Sequence, residues 1–561
     1  MSQLQQKDWL ISQKPSRGNI LFTVVLSFLF AMVAHAQWSH DPANNLIVGY
    51  GLLPEICSDS AGGAYITYEN ATTYPRKIAL RRLNRFGYQA WSSARLIQGI
   101  WPESRLAKIT EDGRNGVLIG FTDIIVTGQF TIDSRGRVQR VDSNGNLLWG
   151  PTGTRVTLAE NNHGVSVIAS DGHGGCVVAW VDTGERLRCQ RIDSMGVRVW
   201  EDTGVVVSLN IAGGPFAAQL LKISQRKFLV GYSSNIFSSF SMLQCLDLNG
   251  NMLWGPGSRL EFLLMNMKAD GRGGAVCSGR RAAQDTATIV VQRVDSTGSR
   301  IWQSPFVVLA YGAGLNNAGI PISVDDGGNS TFAWAKASFG GMLKCYAQRV
   351  MPNGENAFAA NGISVSRTSP SNGPWGVHPS VDQSSIYLLA DSRLGNSLFG
   401  QRLDSLGQQV WDTNDVRISV SGLGWIRSTT DCKGGAIVVG YRDSDFAVRA
   451  QQISRNGLLG EVIVTQVTGL LVLPRATNLF QSYPNPLNPN GVIEYELRNA
   501  GSARLVLYNL IGQVVEILAD GEKHAGRHRA SVSGSNLASG VYIYRLETAD
   551  EVHARKLIIA K

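Results

Sequence analysis

Seven glycines in this chain are each followed, four positions later, by an aromatic residue. They are Gly87, Gly145, Gly196, Gly250, Gly298, Gly354 and Gly407, with Trp91, Trp149, Trp200, Trp254, Trp302, Phe358 and Trp411. Gly457 marks an eighth copy that lacks the aromatic. Neighbouring glycines stand from 48 (Gly250 to Gly298) to 58 (Gly87 to Gly145) residues apart. A period near 50 repeated this often is the mark of stacked β units, most simply propeller blades. Such an array spends its recurrent residues on its own core. Ligand chemistry is left to the loops that differ between copies.

The third copy shows what one unit contains. Val165–Ala169 is an apolar run, Asp171-Gly-His-Gly-Gly175 a turn cluster and Cys176–Trp180 a buried strand. Leu187–Asp193 alternates, Asp193-Ser-Met-Gly196 is a second turn, and Val205–Ser208 begins the last run. Four or five short β runs within about 50 residues, punctuated by Gly and Asp, match one blade. The D-x-x-G turn is what a three-residue hairpin loop needs: a type I turn closed by a residue at positive φ, with an Asp to accept turn amides. Asp142, Asp193, Asp247, Asp295 and Asp404 supply that Asp; Asn84, Met351 and Ser454 replace it in copies one, six and eight. The D-G-x-G-G turn is followed at a fixed distance by Tyr68, Phe121, Trp180 and Trp334. Two landmarks in phase predict an all-β repeat fold of eight blades, or seven if the terminal copy is degenerate. A pair of β-sandwiches is the alternative.

The 561 residues exceed one ordinary core, which a propeller accommodates. Hydrophobic content of 43% against 17% charged excludes a disordered chain. The formal charge is +9, but no Lys/Arg run concentrates it, so nothing points to nucleic acid. Near the start, Lys14 and Arg17 precede the apolar run Ile20–Val33 and then Ala34-His35-Ala36. That order reads as a secretory signal over residues 1–36, cleaved after Ala36, with an uncleaved anchor as the alternative. No other segment is expected to cross a membrane. Seven cysteines are present and none forms a C-x-x-C pair. Cys189, Cys245 and Cys345 lie at odd offsets before their turn glycines, so they should share a face as small core residues.

Catalytic signals are absent: there is no G-x-S-x-G, H-E-x-x-H or Walker A loop. The sequence therefore assigns no catalytic, cofactor-binding or metal-binding residue. Asp142-Ser-Asn-Gly-Asn146 lacks the spacing and the closing Glu of a calcium loop. His163 and His173 flank one strand run and read as surface-loop residues rather than a metal pair. The D-x-x-G hairpins loosely resemble the Asp-box turns of sialidase-type propellers, which implies an arginine cluster for a substrate carboxylate. Arg82, Arg191, Arg293, Arg349 and Arg402 instead recur at one equivalent position, which suits an inter-blade salt bridge or stem packing. The connection Arg367–Gly376 is the best candidate for a ligand-facing loop, with Trp375 able to stack on a sugar or to pack down.

After Gly469 the texture changes. Six alternating runs, Val492–Leu497, Ala503–Tyr508, Gln513–Leu518, Arg527–Val532, Val541–Glu547 and Val552–Ala560, predict a small sandwich. Four ordered motifs lie here: Leu479-Phe-Gln-Ser-Tyr-Pro-Asn-Pro-Leu-Asn-Pro489, Leu507-Tyr-Asn-Leu-Ile-Gly-Gln513, Ala538-Ser-Gly-Val-Tyr-Ile-Tyr544 and Arg555-Lys-Leu-Ile-Ile-Ala-Lys561. Over residues 478–561 they strongly resemble the type IX secretion C-terminal sorting domain, also described as FlgD-Ig-like. The resemblance implies an Ig-like fold, recognition by the secretion machinery, and passage through the periplasm to the outer surface or the medium.

The expectation is thus a signal at 1–36, a β-propeller at 37–465, a linker at 466–477 and a sorting domain at 478–561. The function expected is a non-enzymatic surface or secreted protein that binds an unknown glycan or protein, without a cofactor. A secreted carbohydrate-active or peptide-cleaving hydrolase with its site at the propeller axis is the rival.

Overall fold

The computed structural model divides into two compact parts, Met1–Val462 and Ile463–Lys561. It describes residues 38–560 except 127–131, 160–163, 209–217, 234–238, 284–285, 303–304, 313–314, 316–319, 338–342, 366–373, 381, 392–396, 412–414, 421, 461–475, 483–484, 489 and 524. The expected signal segment and residues 466–475 of the expected linker fall outside this set. No helix occurs among the described residues.

In the first part, six sheets contain four antiparallel strands each and follow one another along the chain. The third copy is typical: Val167–Ser170, Cys176–Val181, Leu187–Ile192 and Val205–Ser208 lie side by side in that order. A further sheet of seven strands joins the two ends of the repeat region. Its long strand Leu46–Ser58 serves two copies. Residues Leu46–Tyr50 pair with Ala447–Ala450 of the eighth copy, and Gly51–Ser58 pair with Ala64–Asn70 of the first.

The first strands of successive copies pack on one another in chain order: Leu46–Ser58, Glu103–Glu111, Val167–Ser170, Gln219–Ser224, Leu263–Ala269, Ile322–Val324, Pro374–Pro379 and Gly424–Thr430. The last of them packs back on the first. The fold is a closed, propeller-like ring, and its hydrophobic clusters straddle neighbouring sheets.

The recurrent turn explains the sheet ends. Asp142 Oδ1 accepts the amides of Asn144 and Asn146 at 2.9 and 2.8 Å, and Gly145 follows at φ 85°. Asp193, Asp247, Asp295 and Asp404 repeat this pattern. Burial works against ionisation of Asp142, but the bonds from Asn146, Asn144 and Gly145 outweigh it and hold the carboxyl below its usual range.

The aromatic after each turn reaches across to the next copy. Trp91, Trp149, Trp200, Trp254, Trp302 and Trp411 are all buried. Each indole N–H donates to the carbonyl of the second turn residue one copy on: Ser143, Ser194, Leu248, Ser296, Pro352 and Arg455. Each ring also lies on the glycine of that turn, as Phe358 does on Gly407. The eighth copy has no aromatic, yet its place is filled. Trp38, before the first strand, is 1% exposed, lies on Gly87 and donates to Arg85 O at 2.9 Å. Gln451 Nε2 holds Ser39 O at 3.0 Å, just as Gln190 holds Glu201 O beside Trp200.

Two expectations are sharpened. The cysteines at equivalent positions, Cys189, Cys245 and Cys345, are buried, and burial raises all three thiols. Among the described residues the recurrent arginines form their salt bridges within a copy, not between copies. Their carboxylate partners lie in the same sheet, in the first turn of the copy: Arg82–Asp59 at 3.0 Å, Arg293–Asp270 at 2.8 Å and Arg349–Asp325 at 2.7 Å. The inter-copy link is instead to a backbone carbonyl, as Arg82 Nη1 to Ser143 O at 3.1 Å and Arg402 Nη1 to Arg455 O at 2.8 Å. The first-turn Asp is already fixed by its own turn amides, so it is the preorganised partner.

The second part has two antiparallel sheets around one core. Asn478–Leu479, Asn490–Leu497 and Gly526–Ser533 form one; Val514–Ala519, Gly501–Tyr508, Gly540–Thr548 and Val552–Ile559 form the other, with Glu522–Lys523 at its side. Ile493, Tyr495 and Val532 of the first meet Leu505, Leu507, Tyr544 and Leu557 of the second.

Candidate functional site

The end of the ring where the first strands begin is the irregular one. In copies one, two and eight the strand carries a two-residue bulge before it enters regular pairing, between Leu52 and Glu55, Arg105 and Lys108, and Gly424 and Arg427. The first bulged residue adopts positive φ in each: Leu53 at 50°, Leu106 at 54° and Trp425 at 51°. Large side chains avoid that region, so the surroundings must enforce it. For Leu106 the enforcement is visible. Buried Glu69 accepts its amide at 3.0 Å while pairing with Arg105 at 3.1 Å and Arg76 at 3.6 Å. Leu106 is 48% exposed and Trp425 38%.

Two residues beyond the first bulged residue of each sits a charge. Glu55 lies between Lys108 at 2.8 Å and Arg427 at 3.2 Å, so one carboxylate ties three adjacent strands together. The Arg427 guanidinium also stands 4.8 Å from the centre of the Trp425 ring. The cluster therefore offers two partly exposed cations, one carboxylate already engaged by both, and an exposed indole.

Further along the strands, nearer the regular turns, the ring interior holds Glu111, Lys268 and His378. A cavity of about 480 Å³ there is lined by first-strand residues of copies two to five, among them Thr110, Glu111, Ser170, Lys222 and Lys268. Crowding by the surrounding ring walls lowers Lys268, against the opposing pull of Glu111, although its side chain opens onto the cavity. His378 is pushed down to about 4 by burial and by Lys268, and its Nε2 lies 2.8 Å from Ser428 Oγ. Among the described residues no three His, Cys, Asp or Glu side chains converge to hold a metal.

The candidates from sequence fare differently. Trp375 lies in strand Pro374–Pro379 at a register shift between Pro374 and Gly376, and its side chain is outside the described set. His163 is also outside it. His173 sits in the first turn of copy three, its amide on Asp171 Oδ1 at 2.8 Å, and belongs to no group of three metal-ligating side chains among the described residues. Sequence reasoning passed over Glu55, Lys108, Trp425 and Arg427. Their signal was available: Leu53, Leu106 and Trp425 all stand six residues before the first-turn Asp59, Asp112 and Asp431.

In the second part the ordered motifs meet in space. Leu487 bridges Ile559 in parallel, and Leu487 N donates to Ile558 O at 2.7 Å. Asn485 Oδ1 accepts the Ile558 amide at 2.9 Å, and the Tyr544 hydroxyl joins Phe480 O at 2.8 Å and Ser482 N at 2.9 Å. Residues 481–560 match the family described as Secretion system C-terminal sorting domain. The C-terminal part is a type IX sorting domain. The sorting domain makes this a protein recognised by the type IX machinery and delivered to the cell surface or the exterior. No helix among the described residues is long and apolar enough to cross a membrane.

No curated protein matches the chain. Among solved structures it is similar to a protein of unknown function from Dyadobacter fermentans (9% identity, 75% of this chain and 96% of that one, TM-score 0.31). It is also similar to a family PL25 ulvan lyase (9%, 76% and 98%, TM-score 0.40). A third is PorZ, a surface component of the type IX secretion system of Porphyromonas gingivalis (9%, 93% and 100%, TM-score 0.17).

Proposed function

We propose that this protein is a secreted or surface-held, non-enzymatic β-propeller of eight blades that binds a glycan or protein ligand at the bulged end of its ring. In this reading residues 1–36 are a Sec signal, 37–465 the propeller, 466–477 a linker and 478–561 an Ig-like domain that directs export. The strand Leu46–Ser58 would close the eighth blade, with Trp38 as the eighth inter-blade aromatic.

The observation that carries the reading is the state of the acid at the ring mouth. Glycoside hydrolysis needs a pair of carboxyls of which one can hold a proton and the other is free to attack or activate water. Glu55 is instead locked between Lys108 and Arg427. Glu111 lies at the far end of its own strand, with Ser60 Oγ 3.3 Å away. The hydrolase rival has one feature in its favour, the contact between His378 and Ser428. A histidine held near 4 is a poor base for a serine, and its charged neighbour is Lys268 rather than an orienting carboxylate.

The test is a screen of the purified secreted chain against glycan and protein panels, run alongside polysaccharide and peptide cleavage assays. Binding without cleavage supports the proposal. Sustained cleavage that survives repurification would sink it.

A further inference from the structure

The register of the ring mouth narrows the ligand. The pairing partners define one layer across seven of the eight first strands: Glu55 opposite Thr67, Lys108 opposite Gly120, Val167 opposite Ala179, Gln219 opposite Gly231, Asn266 opposite Ser278, Gly376 opposite Leu388 and Arg427 opposite Val439; the short strand Ile322–Val324 of copy six begins beyond it. Charge in this layer is confined to three neighbouring strands. The other positions are apolar, amide or glycine. One layer towards the open end, the same three strands present Leu53, Leu106 and Trp425, all held at positive φ. Among the described residues the mouth is therefore one-sided, with a cationic wall beneath an apolar rim.

We infer that this sector, Trp425 and Leu106 over Arg427 and Lys108, is a binding site for an acidic polysaccharide. The inference rests on the binding reading above and names its ligand class. A pyranose ring presents a flat C–H face that an exposed indole covers well. A ring carboxylate or sulfate offers the planar or multidentate acceptor that a guanidinium prefers. The two cations are each about one-third exposed, so a ligand anion reaches them without dismantling the core. Glu55 fixes both cations in place and repels an anion that lacks contact with both. The engaged pair leaves one net positive charge in the layer, and the full 561-residue sequence, the proposed signal included, carries +9. A neutral glycan would meet the same rim but use neither cation. A protein partner would bury a larger and flatter surface than one sector of a ring mouth supplies.

The experiment titrates the full secreted chain with a uronic-acid polymer, its carboxyl-reduced neutral form, and dextran sulfate. The account expects binding to the acidic polymers that weakens as salt rises, and at least tenfold weaker binding to the neutral form. Trp425→Ala should weaken acidic-polymer binding about tenfold while the melting temperature holds. The double change Lys108→Gln with Arg427→Gln should weaken it about tenfold while lowering the melting temperature, since Glu55 loses both partners, without unfolding the chain at assay temperature. The uronic-acid and sulfated arms decide which anion is preferred. Equal affinity for the neutral form, or undiminished binding by both variants, overturns the inference. If another glycan or a protein is captured and no acidic polymer is, this inference falls and the binding reading stands. If the acidic polymer is shortened, the binding reading falls instead, and the variants then report whether this sector holds the chain being cut.

Discussion

Trp38 donates its indole N–H to Arg85 O at 2.9 Å, the same contact Trp91 makes with Ser143 one copy on. The two residues are 47 apart in sequence, yet the bond belongs to the junction between the last copy and the first. Trp38→Ala removes a fully buried ring and should cost about 3 kcal/mol. Equilibrium unfolding in urea checks this; Tyr74→Ala, at an 89% exposed position, should change nothing measurable.

The turn glycines carry two separate penalties that can be told apart. Gly196 is at φ 82° and a Cβ there would lie 2.8 Å from the Trp149 ring; Gly150 is at φ 73° with nothing within 4 Å. Gly150→Ala should lose only the left-handed preference, about 1 kcal/mol. Gly196→Ala adds a clash with a ring that has nowhere to go, so the loss should be about twice as large or more. Matched unfolding curves give the comparison.

Ion pairs in the repeat region should depend strongly on burial. The side chains of Arg293 and Asp270 are 6% and 2% exposed. Asp270→Ala leaves a buried guanidinium without its carboxylate and should destabilise by about 3 kcal/mol. Arg259 and Glu261 form a pair at 3.3 Å that is 52% and 36% exposed, and Glu261→Ala should stay within about 0.5 kcal/mol of the parent. Denaturant midpoints would show whether the two differ.

His378 gives the ring an acid-sensitive term. Its folded value near 4 lies below the usual 6.5, so between these values the unfolded chain binds more protons. Stability from this residue is complete above about pH 6.5 and is lost as pH falls towards 4. Its side chain opens into the ring interior, which moderates the loss to about 1 to 3 kcal/mol. His378→Gln keeps a partner for Ser428 and should flatten the stability profile over pH 4 to 6.5; an unchanged slope would remove His378 as its source.

Removing residues 478–561 should leave the repeat region in the periplasm. Fractionation and immunoblotting of the truncated chain test this, and normal levels outside the cell would contradict the export role.

The two parts were legible in the sequence to different depths. All six strand runs expected after Gly469 appear within two residues of their observed bounds, because alternating burial and turn chemistry such as that of Asn509–Gly512 act locally. The short pairing of Asn478–Leu479 was missed, since two residues carry no periodicity. In the ring, the turn Asp, the glycine and the aromatic were readable because each repeats at a fixed offset. Closure was not. Trp38 stands outside every repeat, and only the pairing of Leu46–Tyr50 with Ala447–Ala450 reveals which gap it fills. The mouth cluster was missed for a related reason. Glu55, Lys108 and Arg427 are unlike one another, and their relation exists only between neighbouring strands. Arg82 and its equivalents were read as recurrent structural residues, in an inter-blade salt bridge or stem packing; of these the salt bridge lies within the copy instead, because sequence offsets do not say which sheet supplies the carboxylate.

Closure of the ring through its N-terminal segment is tested most directly by amide hydrogen exchange on the secreted chain and on Trp38→Ala. Arg449, Ala450 and the turn Asn84–Gly87 should all lose protection together in the variant, although they lie more than 360 residues apart, while the turn Asp193–Gly196 across the ring keeps its own. Faster exchange confined to residues 38–45, with Ala450 and Gly87 unchanged, would mean that Trp38 does not hold the circle shut.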